Sequence, residues 1–593
     1  PICLAEEAAA MAASEAVKKK KKTTTEVDLF DEYRVMWCLH QLLPYVDKVL
    51  NISGTMDFRP IRFENDVLCR LPLVLLSLVF PSRRVLMLAH VANVVSMCFW
   101  MPSVWDHCVW CMLLEGVFVL AAAASRDEAE TMASFLPSMR VSLIVLYFSA
   151  AFWKLTTGFL DPVSSCANTL VAELASAMLS PEQIPATSDF AKYLMLSAPA
   201  QIVFIEFLVP VMLWLAPRAG IPVALLFHQA INWMPVTYAG GFSIAMCTRL
   251  VVYQPGCLGT SIRKLASGDL GSFALPSAVV GAVAWAYLKC HDGKIDASGF
   301  AFLVYALLYL RSVWDFKNFR PQLQKHITAP AVFALGIFVA FTYGFLAPVF
   351  GVMAMASSTM YGNVKQFGGA TNHLVVPTGL LQDLYADATS FDGWLEDAFA
   401  GGVVRVDDYD STEFYDQLDG ADISDDQPEH ARRILNATGS SGKYYEFYAK
   451  RNYYDRRQDH QGTALVTFDL GLDAAAATKP KTPVAVPAYE LRRLLALARN
   501  RETDYFVRYV RLPTKLHTLS EWRDYTPPES IQVTVSDGIA RCVVLDETDS
   551  EVANCHSAEL ANLKPPPRWL RSLLHPYPLP LLAGVNDEPV CTT

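Results

Sequence analysis

The chain from Arg140 to Gly158 reads RVSLIVLYFSAAFWKLTTG, and the fold class turns on it. It is an apolar run long enough to cross much of a bilayer, with one cation, Lys154, near its end. A lysine there is costly unless it snorkels to the interface, finds a partner or gives up its proton. Desolvation favours the neutral amine, and a neutral amine is a base. Position alone leaves both readings open, an interfacial anchor or a base.

The surrounding composition places this run in a membrane. Of 593 residues, 52% are hydrophobic and 18% charged, against about 25% charged in an average soluble protein. Mean hydropathy is +0.24. The apolar excess lies almost wholly before Phe350, and the net charge of −10 lies mainly after it. The acidic balance argues against nucleic acid as a partner. Thirteen cysteines show no metal-ligand spacing, so no metal is expected. Cys108 and Cys111 sit inside an apolar helix, where thiols pack as small hydrophobes.

The expected architecture is an α-helical polytopic membrane bundle followed by a soluble C-terminal domain, mixed α/β and rich in β-strand. Residues 1–27 form a basic tail around Lys18–Lys22, and 28–60 an amphipathic helix and linker. That helix either lies on the membrane surface or packs on the bundle, with a break near Pro44. Residues 61–350 form the bundle, 351–563 the extramembrane domain, and 564–593 a Pro-rich tail. Ten apolar segments occur between 67 and 350. Several are too short to span, which leaves about eight to nine transmembrane helices. Ala464–Phe468, Ile531–Val535 and Arg541–Leu545 alternate as strands do, and Tyr489–Asn500 reads as helical. Two sequons, at Asn51 and Asn436, would be glycosylation acceptors if they lie on a lumenal face.

Polar residues inside the apolar segments are the functional candidates, because a bilayer makes them expensive. His107 follows Asp106 and precedes Glu115 by just over two helical turns, so the two share a face roughly. The Asp106–His107 pair also suits an interfacial belt beside Trp105 and Trp110. Glu206 is a carboxylate in QIVFIEFLVPVMLWL and needs a partner, with Lys154 or an arginine the natural one. His228 and Asn232 are four residues apart on one helix face, suited to catalysis or to interhelical hydrogen bonding. Burying one lysine, two histidines and a glutamate together is cheaper than burying each alone. Such a cluster makes an acid–base site.

The order and context of these residues resemble the vitamin K-dependent γ-glutamyl carboxylase and its wider relatives, the HTTM-domain membrane proteins. SVWDHCVW resembles the family's histidine-bearing helix, and IVLYFSAAFWKL its lysine segment. Glu206 and Arg218 resemble its next helix pair, and LLFHQAINWMPVTYAGGFSIAM its Phe-His segment. The resemblance covers roughly residues 60–260 and departs from the family after Lys154, where Thr156-Thr-Gly-Phe-Leu-Asp stands. It implies a membrane enzyme of endoplasmic-reticulum type. Lys154 would be the base that deprotonates reduced vitamin K or a related quinol, with His107 and His228 as hydrogen-bonding partners. Glu206, Glu115 and Asn232 would support the site. Oxygen and carbon dioxide would be co-substrates, and a glutamate-containing peptide the acceptor. Two other classes remain open: a non-catalytic scaffold or accessory subunit of a membrane complex, and a transporter using the cluster as a proton relay.

Overall fold

The computed structural model describes residues 29–46 except Pro44, and 69–349 apart from 101–105, 234–241, 255–256, 291–296, 315–328 and a few positions in 163–187. Beyond these it describes most of 358–376, 402–409, 483–492, 505–513, 519–536 and 539–555, with short pieces elsewhere. The expected strand at 464–468, both sequons and most of the Pro-rich tail lie outside the described residues. Two compact units result. The first comprises residues 1–99, 107–148 and 205–342, and the second 100–106, 149–204 and 343–593. This division differs from the boundary expected at residue 350, since the segment from Ser149 to Phe204 clusters with the C-terminal part.

Among the described residues, five helices are long and apolar enough to cross a membrane: His107–Ala124, Glu128–Trp153, Asp189–Leu215, Leu270–Cys290 and Pro330–Val349. Eight to nine spans are expected from the sequence, and five helices of that length lie among the described residues. Leu71–Val79 has only nine residues and Pro217–Asn232 sixteen. Phe242–Arg249 has eight before a 3-10 turn, Leu250–Tyr253, ends it. Arg83–Trp100 reaches eighteen residues but opens on two arginines and carries His90 and Asn93.

In the first unit the helix 29–43 packs on the bundle; it is no surface helix. Leu29, Phe30, Tyr33, Met36, Trp37 and Cys38 are each no more than 1% exposed. Two of its charged residues, Arg34 and Glu32, cap other helices. Arg34 donates to the carbonyls of Ser77 and Leu78, at the C-terminal end of Leu71–Val79, where carbonyls lack intrahelical partners. Glu32 accepts from the Gly259 N–H in the first turn of Cys257–Ala266, where a carboxylate is favoured. Arg83 likewise donates to the carbonyls of Ala122 and Ser125.

The helices Glu128–Trp153 and Pro330–Phe341 meet through small residues. Ser138 Oγ donates to the Val332 carbonyl and Ser142 Oγ to that of Gly336. A Cβ on Gly336 would lie 2.6 Å from the Ser138 Cβ. Lipid gives no hydrophobic drive to helix association, so close packing of this kind carries it.

In the second unit, β1 (Gln366–Phe367) and β2 (Ala370–Thr371) form a small hairpin. A seven-stranded antiparallel sheet follows. Its strands are β3 (Val403–Tyr409), β6 (Val484–Pro487), β7 (Tyr505–Arg511), β8 (Glu529–Ser536), β9 (Ile539–Asp546), β10 (Glu551–Asn554) and β11 (Leu579–Pro580). Their order is β10-β9-β8-β7-β3-β6-β11. The strands numbered between, β4 (Ala421–Asp422) and β5 (Tyr444–Glu446), form a separate three-stranded sheet with β12 (Cys591–Thr592), in the order β12-β5-β4. The expected strands at Ile531–Val535 and Arg541–Leu545 fall within β8 and β9. In β8, Ile531, Val533 and Val535 point inward with period two, as one buried face requires. They pack with Val404, Val406, Val507, Tyr509, Val544, Leu491 and Leu495. A Cys542–Cys555 disulfide ties β9 to the residue after β10. Cys108 and Cys111 are buried thiols, in keeping with a packing role.

Gly336→Ala is expected to lower stability in detergent by about 1–3 kcal/mol, as overpacking does. Adding Ser138→Gly should return most of that loss. Unchanged thermal unfolding of Gly336→Ala would show that the two helices do not pack at this point.

Candidate functional site

The first unit is built around a carboxylate. Glu115, on the helix Asp106–Ala124, and Arg249, at the end of Phe242–Arg249, form an ion pair at 3.3 Å with both side chains 1% exposed. Glu115 Oε1 also accepts from Trp37 Nε1 at 2.9 Å, and Oε2 from Asn93 Nδ2 at 2.6 Å. Asn93 Oδ1 in turn accepts from Arg70 Nη1 at 3.0 Å. Arg70 also donates to the Tyr45 hydroxyl. Arg249 donates to the Ala245 carbonyl and lies over the Trp110 ring. A buried carboxylate is tolerable only when its lone pairs are satisfied in this way. Glu115 therefore joins five segments of chain.

His90, which the sequence did not single out, stands beside this network. Its ring is stacked between Trp37, at 4.0 Å, and Phe118, at 4.3 Å. The Leu86 carbonyl can only accept, so Nδ1 carries the proton and Nε2 accepts from the Tyr33 hydroxyl at 3.1 Å. Both ring nitrogens are thus satisfied.

The two histidines expected at the site meet at one ring. Phe242 lies 5.9 Å from the His107 ring and 5.2 Å from that of His228. His228 is fully buried, and its Nε2 lies 2.6 Å from the Tyr147 hydroxyl. Its Nδ1 has no hydrogen-bond partner. Tyr147 belongs to the opening sequence stretch, where it stands among apolar residues. A phenol and an imidazole at this distance can exchange a proton, which leaves Nδ1 as the face available to a substrate. Glu206 is buried in the helix Asp189–Leu215, and Asn232 is half-buried where Pro217–Asn232 ends.

Lys154 belongs to the second unit, whereas His107, Glu115, Glu206, His228 and Asn232 belong to the first. It is 4% exposed, so it does not snorkel into water. Its Nζ donates to the Met360 carbonyl at 2.8 Å and lies 5.9 Å from the centre of the Phe159 ring. The chain around it is clasped by the segment from Gly344 to Leu374. Trp153 Nε1 and Ser358 Oγ both donate to the Gly344 carbonyl, within a single π turn, Thr342–Leu346. Thr156 Oγ1 donates to the Gly362 carbonyl. A Cβ on Gly362 would meet the Trp153 carbonyl oxygen at 2.7 Å, so this approach requires glycine.

His373 closes the clasp. Its Nε2 donates to the Phe152 carbonyl at 2.8 Å, and its Nδ1 accepts from the Val375 and Val376 N–H groups, both at 3.1 Å. Its backbone bridges Thr156, and its ring packs on Phe152 and Trp153. These partners fix the neutral tautomer. Burial lowers the imidazole's pKa from its ordinary value, against an opposing effect from the Phe152 carbonyl. Among the described residues no group of three or more metal-ligating side chains occurs.

A family model described as a domain of unknown function (DUF8388) matches residues 371–572. That span contains His373 and strands β3 to β10. No curated protein and no solved structure matches the chain.

The clasp should be pH-dependent. The unfolded imidazole titrates near about 6.5 and the folded one lower. Its contribution to stability is therefore complete above about 6.5 and declines as pH falls from there towards the folded value. The protection of the Val375 and Val376 amides, taken relative to intrinsic exchange, should fall between pH 7.5 and 5 in excess of that of neighbouring amides. His373→Asn should remove that excess. Protection unaffected by pH would contradict the assigned tautomer.

Proposed function

We propose that this chain is a multipass membrane enzyme that moves a proton on a quinol-type substrate, with His228 and Tyr147 as its acid–base pair. The observation that carries the reading is the 2.6 Å Tyr147–His228 contact beside a buried, unpartnered Nδ1. With its proton on Nε2 and donated to Tyr147, His228 presents a lone pair at Nδ1 to a substrate hydroxyl. His107, across Phe242, is a second imidazole able to orient that hydroxyl. Water is excluded because His228 and Tyr147 are no more than 2% exposed.

The fuller form of the reading comes from the resemblance to the carboxylase and HTTM group. There the quinol is reduced vitamin K or a relative, oxygen and carbon dioxide are co-substrates, and a peptidyl glutamate is the acceptor. Lys154 is then the base. The disulfide Cys542–Cys555, and a further one at Cys166, support an oxidising lumenal location for the second unit, as in an endomembrane protein.

A second reading has its own support. The Lys154 amine is engaged by a backbone carbonyl, and a seven-stranded sheet stands on the C-terminal side. Both suit a non-catalytic scaffold or accessory subunit of a membrane complex, which predicts stable partners through mild detergent extraction.

The full chain in nanodiscs, given reduced vitamin K and oxygen, is expected to form the epoxide or quinone. His228→Ala and Tyr147→Phe should each slow this by about 10²-fold or more, the usual scale of general acid–base catalysis. Loss confined to Lys154→Met would move the base to Lys154. No turnover by the wild type, with partners retained on extraction, would favour the scaffold.

A further inference from the structure

The helix Cys257–Ala266 has one face that is only half covered. Leu258, Ser261, Ile262 and Leu265 follow the spacing i, i+3, i+4, i+7 and share that face. Its first half rests on the bundle: Leu258 and Ser261 are buried, and Ser261 Oγ donates to the Leu308 carbonyl at 3.2 Å. Its second half is bare among the described residues, with Ile262 48% and Leu265 45% exposed. Arg263, exposed, and Lys264, half-buried, stand between them in sequence. Leu270, 65% exposed, then opens the membrane-length segment Leu270–Cys290, along which Leu275, Val279 and Trp285 are exposed in turn. Near the far end of that segment, Lys289 Nζ lies 5.7 Å from the centre of the Trp285 ring. Tryptophan and lysine together mark a membrane–water boundary. The segment has 21 residues, about 30 Å as a helix, the thickness of a bilayer's hydrocarbon core. Cys257–Ala266 therefore sits at the opposite boundary.

We infer that Cys257–Ala266 is an interfacial helix that binds anionic phospholipid, with Ile262 and Leu265 in the acyl boundary and Arg263 and Lys264 on the headgroup phosphate. The inference is independent of the proposed acid–base chemistry and uses none of its residues. Charge decides the headgroup class. From Cys257 to Phe273 the chain carries two cations and a single carboxylate, Asp269. Two further guanidinium groups stand behind them at the same end of the first unit. Arg140 donates through Nε and Nη2 to the Val252 carbonyl and lies over the Tyr253 ring, just before this helix begins. Arg311, buried, lies over the Phe273 ring at 5.7 Å, just after it ends. Both add positive potential to the surface that Arg263 and Lys264 reach. The bare apolar strip decides the partner. It runs on through Leu270 into the exposed apolar side of Leu270–Cys290, so a bilayer covers both. A basic helix placed there gains from apolar burial and from attraction to anionic headgroups at once.

The test takes the full chain, delipidated in detergent, and adds phosphatidylglycerol or phosphatidylcholine, with bound lipid counted by native mass spectrometry. Phosphatidylglycerol is expected to bind at lower concentration than phosphatidylcholine. Arg263→Gln combined with Lys264→Gln should weaken phosphatidylglycerol about tenfold, on the scale of two cations near an anionic surface, and leave phosphatidylcholine unchanged. Ile262→Ser combined with Leu265→Ser should weaken both lipids. Should the double charge variant fail to fold, Arg263→Gln alone, at an exposed side chain bonded to Thr260 Oγ1, should weaken phosphatidylglycerol severalfold. Soluble glycerophosphoglycerol, which has the headgroup without acyl chains, should not displace the lipid. Equal binding of the two lipids, phosphatidylglycerol binding undiminished in the charge variant that folds, or displacement by glycerophosphoglycerol, which would mark a phosphate site rather than a lipid site, would each overturn the inference.

Discussion

The ion pair between Glu115 and Arg249 is the contact on which the first unit depends. Both side chains are 1% exposed, so neither can fall back on water. Removing one partner from such a pair costs about 3–5 kcal/mol, because the other charge is stranded. That penalty fixes the neighbours. Trp37 and Asn93 must bring their N–H groups to the carboxylate, and Arg70 must hold Asn93 in place. Arg249 is the last residue of the helix Phe242–Arg249. That helix carries Phe242, the ring at which His107 and His228 meet. The carboxylate and the histidines thus divide the work: Glu115 holds helices together, and His228 with Tyr147 is the pair proposed for acid–base chemistry.

Lys154 belongs to a different construction. The resemblance singles it out as a base, and its place in the second unit is a tight backbone clasp. Met360, Gly362 and His373 reach it or its neighbours from more than two hundred positions along the chain. The clasp keeps the lysine out of water with a carbonyl at its amine and a ring face near it. Such a placement serves a precisely held base or a structural plug equally well, so turnover of the Lys154 variant, set against His228 and Tyr147, separates the two.

Much of this was legible in the sequence where local pattern suffices. Alternation marked β8 and β9, and hydropathy marked the five long helices. Isolated polar residues in apolar runs pointed to Glu115, His107 and His228. What escaped depends on partners distant in sequence. His90 reads as one more residue of a moderately apolar helix until Tyr33 and Trp37 are set against it. Tyr147 reads as lining until His228, 81 positions away, faces it. The helix 29–43 was ambiguous because its arginine and glutamate look solvent-facing, whereas they cap buried helix ends. Several apolar segments are short in the sequence, and Leu71–Val79 and Pro217–Asn232 are helices of nine and sixteen residues.

The most direct measurement is a double-mutant cycle on Glu115 and Arg249, with Glu115→Leu, Arg249→Met and the pair combined, read as unfolding free energy in detergent. The buried pair predicts single losses of about 3–5 kcal/mol each and a double variant well short of their sum, with a coupling of about 2 kcal/mol or more. Losses that simply add would contradict it, and with it the placement of Glu115 at the centre of the first unit.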